Sequence, residues 1–136
     1  MSKVVPILIF SGQANEAIKL YEKAFGGKTK MLYYHKGTER KDLVFWSEME
    51  IKGQIIAFGD DPKLMDNDAQ TQSSSFLIDI LIHFDSDDEL RAAYEILADG
   101  GTITTPLSKE SYCSLTAALI DKFGGRWQLM SGYEGA

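Results

Sequence analysis

Two stretches of this chain keep the same spacing, Phe10 to Gly26-Gly27 and Phe84 to Gly100-Gly101, with both landmarks offset by 74 residues. Each stretch reads as the end of an apolar strand, an amphipathic helix and a glycine-pair stop. A duplication of this kind constrains the fold more than any single motif, because each copy has to be one supersecondary unit. The copies are not identical: the apolar faces of the two helices run one residue out of phase.

The first copy opens with the apolar run VVPILIF. In NEAIKLYEKAFGG, the spacing of Ala17, Ile18, Tyr21, Ala24 and Phe25 marks one helix face, closed by Gly26 and Gly27. Residues 28–35 and 42–51 read as strands, and Lys52-Gly53 makes a two-residue hairpin turn into QIIAFGD. Residues 61–74 are polar, contain a proline and lack periodicity, which predicts a linker. The order then restarts. SFLIDILIHF predicts a strand. DSDDELRAAYEILADGG predicts a helix with Leu90, Ala93, Tyr94 and Leu97 on one face, its acidic first turn suited to the helix dipole. Short strands follow at 101–106 and 114–121, and Phe123-Gly124-Gly125 turns into RWQLMSGY. The expectation is one α+β domain over residues 1–136, made of paired βαβββ modules (1–60 and 75–133). Its mixed sheet would curve around a shared cleft with the helices outside.

With 136 residues and 44% hydrophobic side chains, one buried core forms without metal or disulfide. Cys113 is the only cysteine, so no intrachain bridge can form; a reducing cytoplasm and a buried, inert thiol are expected. The N-terminal apolar run is far too short to span a bilayer, and no membrane partner is expected. Net charge is −6; residues 1–68 hold ten basic and ten acidic side chains, whereas 69–136 hold four and ten. That acidity repels a phosphate backbone and argues against nucleic acid.

The segments EAIKLYEKAFGG, MEIKGQIIAFGDD and LIDKFGGRWQLM, in this order and spacing, resemble the vicinal oxygen chelate superfamily, which includes glyoxalase I, extradiol dioxygenases and bleomycin-binding proteins. The similarity is greatest to its PhnB-like branch, whose members often carry methyltransferase labels by analogy with demethylubiquinone methylation. Methyl transfer from S-adenosylmethionine usually shows a glycine-rich loop between a strand and a helix, and here the Gly-Gly pairs follow helices instead.

The resemblance implies four metal-ligand slots on cleft-facing strands. By position they fall on Pro6, on Ala57 (or Phe58 if the register slips), on Asp79 and on Gln128. Pro6 and Ala57 offer no donor, and His35 and His83 show no ligand spacing, so no metal and no other cofactor is expected. The same strand faces place Leu8, Ile55, Leu81, His83 and Met130 in the cleft lining. This apolar surface would suit a small, partly hydrophobic ligand oriented by Asp79 and Gln128.

Two readings of Asp79 stand. In an apolar strand it could serve as a general base; alternatively it is solvated, or paired with Arg126 or a lysine. Trp46, Trp127, Tyr112 and Phe58 could stack on a ligand ring or fill the core. The segment 107–113 predicts a lid carrying Tyr112, Lys109 and Glu110. Three functions remain open: metal-free binding of a small molecule, a lyase, isomerase or transferase with Asp79 as base, and a dimeric interaction module. The resemblance also implies a homodimer.

Overall fold

The computed structural model describes residues 2–65 and 77–133. The chain divides into two compact units between Ser74 and Ser75. The first contains β1 (Ile7–Phe10), α1 (Ala14–Phe25), β2 (Lys28–Tyr34), β3 (Val44–Ile51), β4 (Gln54–Asp60) and the short α2 (Pro62–Met65). The second contains β5 (Ile80–Phe84), α3 (Asp87–Ala98), β6 (Thr102–Glu110), β7 (Cys113–Ile120) and β8 (Arg126–Ser131). Each builds a four-stranded mixed sheet, in the orders β1-β4-β3-β2 and β5-β8-β7-β6. In each, the first strand runs parallel to the last and the other neighbours are antiparallel. This is an α+β chain of two βαβββ units.

In α1 the expected face (Ala17, Ile18, Tyr21, Ala24 and Phe25) is buried. Tyr21 stacks on Phe58 of β4 with ring centroids 5.5 Å apart. The helix has no side-chain cap from its own N-cap residue, Gln13. Asp60, 6% exposed, replaces it from the end of β4: Gly12 N and Ala14 N donate to its Oδ1 at 2.8 and 3.0 Å, and Val44 N to its Oδ2 at 2.9 Å. One carboxylate thus satisfies orphan helix donors and ties β3, β4 and α1 together. The Lys52-Gly53 turn has positive φ at both residues (49° and 84°) and joins the pair Ile51 and Gln54, as a type I′ hairpin requires.

The second unit solves the same problems with different residues. Ser86 caps α3 by accepting from Glu89 N, while Glu89 Oε1 accepts from Asp85 N. Ser131 faces Phe84 across the β5–β8 ladder, as Asp60 faces Phe10 across β1–β4. Here the strand supplies a hydroxyl and the helix the acid, Ser131 Oγ donating to Asp87 Oδ1 at 2.5 Å. Leu90, Ala93 and Leu97 are buried, and Tyr94 is half-buried. After β7, Asp121 organises the turn: Phe123 N and Gly125 N donate to its Oδ1, and the buried Trp127 donates Nε1–H to its Oδ2 at 2.7 Å. Within LIDKFGGRWQLM, Asp121 and Trp127 therefore staple the turn.

Four expectations are corrected. Of the strand expected from Ser75, residues 75–76 lie outside the described residues, 77–79 are not strand and β5 begins at Ile80, so Asp79 precedes it. The linker contains α2 at its start, and 66–74 lie outside the described residues. The strand expected at 101–106 runs on to Glu110; it tolerates Pro106 because β6 is the sheet edge and its register slips on either side. The expected lid at 107–113 is consequently a tight hairpin, with Glu110 paired to Cys113 across Ser111-Tyr112.

Candidate functional site

Residues paired across a ladder share a sheet face, and this fixes which side chains can meet. In the first unit Leu8 pairs with Phe58, which packs on α1, so Leu8 lies on the helix side. Its assignment to a common face with Ala57 is corrected: Ile7 pairs with Ala57, and Ile7, Ile9, Ile55 and Ala57 point away from the helix. In the second unit Leu81 pairs with Gln128 and His83 with Met130, and these four share the face away from α3. Ala57 and Gln128 thus occupy equivalent places. Pro6 corresponds to Ile80 rather than to Asp79, one residue out of the assumed register.

The donor set does not fit a metal. At the slot positions Ile7 and Ala57 offer no donor in the first unit, and in the second Gln128 offers a single amide, with His83 farther along the same face. Among the described residues no three His, Cys, Asp or Glu side chains cluster closely enough to hold an ion.

Asp79 is an ion-pair partner. Arg126 Nε donates to its Oδ1 at 2.8 Å, and Gln128 Nε2 donates to its Oδ2 at 3.1 Å. Both carboxylate oxygens are engaged, and the pairing offsets the desolvation that the sequence had suggested could make it a base. Asp79, Gln128 and Leu81 come together at the start of β5. Tyr112 lies apart, in a separate concavity of about 410 Å³ at the β6–β7 hairpin tip, lined by Lys109, Glu110, Tyr112, Cys113, Ser114 and Gly132 among others. Its Cys113 is buried, as expected of an inert thiol.

The first unit holds a more apolar concavity of about 260 Å³, lined chiefly by Ile7 and Ile9 of β1, His35, Phe45 and Trp46 of β3, and Gly59. A bulge builds it. Tyr33 pairs with Trp46 and Tyr34 with Val44, leaving Phe45 as the extra residue, 61% exposed. His35 sets its ring edge-on to Phe45, centroids 5.3 Å apart, and its Nε2 lies 2.9 Å from the backbone oxygen of Asp60. Ile7, Ile9, His35 and Phe45 were not singled out from the sequence as a pocket. The available signal was the consecutive Phe45-Trp46 in a strand of otherwise alternating pattern.

The comparisons fit this architecture. Residues 2–130 match the model of the family described as 3-demethylubiquinone-9 3-methyltransferase. No curated protein matches the chain. Among solved structures it is similar to protein PA1353 from Pseudomonas aeruginosa (TM-score 0.81, 21% identity, covering 96% of this chain and 98% of that one). It is similar too to a PhnB protein from Bacillus cereus (TM-score 0.81, 20% identity, 96% and 99%). A glyoxylase/bleomycin resistance protein/dioxygenase domain from Frankia shares the fold at greater distance (TM-score 0.66, 16% identity, 100% and 96%). With its paired βαβββ units and a family match over nearly its whole length, the chain belongs to the PhnB-like 3-demethylubiquinone-9 3-methyltransferase family and has the glyoxalase fold.

Proposed function

We propose that this protein binds a small, partly apolar molecule without a metal, and that the first-unit concavity holds it. The observation that carries this reading is the lining itself: Ile7, Ile9, Phe45 and Trp46 surround about 260 Å³ beside a single imidazole. Apolar walls with few, placed polar groups are the usual composition of a ligand site, and a volume below the common lower bound of roughly 300 Å³ favours a small occupant. The second-unit group of Asp79, Gln128, Leu81 and Met130 is a second place for polar contact. The ion pair to Arg126 supports a positioning role for Asp79 over that of a base.

The family description names a methyl transfer, which this reading does not adopt. The connections into α1 and α3 are Ser11-Gly12-Gln13 and Asp85-Ser86, neither of them the glycine-rich loop that cradles a nucleotide-like cofactor. The reading extends to a cytoplasmic homodimer, in keeping with the single buried cysteine and with the resemblance; light scattering giving the monomer mass at high concentration would remove the dimer. Binding itself is tested by titrating the protein with toluene and phenol while following Trp46 emission. A saturable change with at least one probe, recovered unchanged and lost in Trp46→Phe, supports it. No response to either overturns it.

A further inference from the structure

Resting on that binding role, we propose that the first-unit concavity selects a small aromatic molecule carrying an O–H or N–H donor, which it holds through His35 Nδ1. The backbone oxygen of Asp60 can only accept, so the 2.9 Å contact requires His35 Nε2 to carry the proton. A neutral imidazole donating from Nε2 presents Nδ1 as an acceptor, and Nδ1 has no partner among the described residues.

The other polar side chains of the lining point to the same class. Trp46 donates its Nε1–H to Glu48 Oε2 at 2.9 Å, leaving its ring as apolar surface. The Asp60 carboxylate is saturated by three backbone N–H groups. Asp61 Oδ1 accepts from Lys63 N, so Asp61 too contributes only acceptor oxygens. The side chains around this concavity therefore offer acceptors to an occupant and no donor. Shape adds the ring: Gly59 leaves the sheet surface bare, since a Cβ there would stand 3.1 Å from Phe45 O, and the aromatic faces of Phe45 and Trp46 border it. Flat groups stack on such faces.

Phenol and toluene, nearly equal in size, give the test on the intact chain. A purely apolar site prefers toluene, because burying a hydroxyl without a partner is unfavourable. An acceptor at Nδ1 reverses the order, and phenol is expected to bind roughly tenfold more tightly, the effect of one well-made hydrogen bond. Dissociation constants from Trp46 emission read this directly, with Trp127, fully buried, as a constant background. His35→Ala should abolish the preference while toluene still binds. Toluene binding as tightly as phenol to the wild-type protein overturns the donor selection and leaves the binding role standing; silence from both probes removes the binding role with it. Should His35→Ala not fold, the wild-type order of the two probes decides alone.

Discussion

Arg126 and Asp79 form a hydrogen-bonded ion pair, Nε to Oδ1 at 2.8 Å, with side chains only 20% and 25% exposed. Gln128 donates to the other carboxylate oxygen. This pair lies between the exposed limit, where an ion pair contributes under about 1 kcal/mol, and the buried limit, where losing one partner costs about 3–5 kcal/mol. Asp79→Ala is therefore expected to destabilise the protein by about 1–2 kcal/mol, and Gln128→Ala by less than about 1 kcal/mol. Urea unfolding midpoints measure both. Phenol affinity at the first-unit concavity should be unchanged in either variant. A fully stable Asp79→Asn that loses a measurable turnover would restore the base reading.

The sequence carried the repeat, the helix faces and the Lys52-Gly53 hairpin because these depend on local chemistry: apolar spacing, positive φ and short turns. It misplaced what depends on register. Asp79 was read into a strand that starts one residue later, and Leu8 was put on a common face with Ala57 although it pairs with Phe58. A one-residue slip exchanges the two faces of a strand, and no single strand records which neighbour it meets. The Phe45 bulge was hidden for the same reason, since an extra residue is defined only against its partner strand. The ion pair had been one of two alternatives for Asp79; choosing it needed Arg126, 47 positions away, to be brought into contact. The one-residue helix phase shift also finds its cause. Three residues separate β1 from α1 but two separate β5 from α3, and Asp99 restores the count before Gly100.

Asp87 links acid stability to the second repeat's helix start. Hydroxyl donation from Ser114, and then from Ser131, holds its carboxyl below the ordinary carboxylate range, helped by the charge of Arg91. The unfolded chain therefore takes up the proton at higher pH than the folded one. This contribution is complete above the unfolded value, about 3.9, and is lost as pH falls through the lower folded value. In Ser114→Ala or Ser131→Ala, unfolding free energy measured by urea titration at a series of acidic pH values should decline less steeply below about pH 4. An unchanged slope in both variants would show that these hydroxyls do not hold the carboxylate.

The two glycine pairs occupy matching places, yet their second members face different surroundings. Gly26 and Gly100 both end a helix region with positive φ, 64° and 76°. A Cβ on Gly26 meets nothing within 4 Å, so Gly26→Ala should cost only the backbone conformation, about 1 kcal/mol. A Cβ on Gly101 would stand 2.5 Å from Ile120 O and 3.1 Å from Leu97 O, backbone atoms of β7 and α3 that cannot rotate aside. A Cβ on Gly27 would meet the side chains of Met49 and Ile51, and the thioether of Met49 can change rotamer. Gly101→Ala is accordingly expected to destabilise by about 2–3 kcal/mol, near the upper range for overpacking, and Gly27→Ala by less. Thermal unfolding of the three variants under one set of conditions orders them. Equal losses at Gly27 and Gly101 would mean that the repeat position, rather than the atoms opposite, sets the penalty.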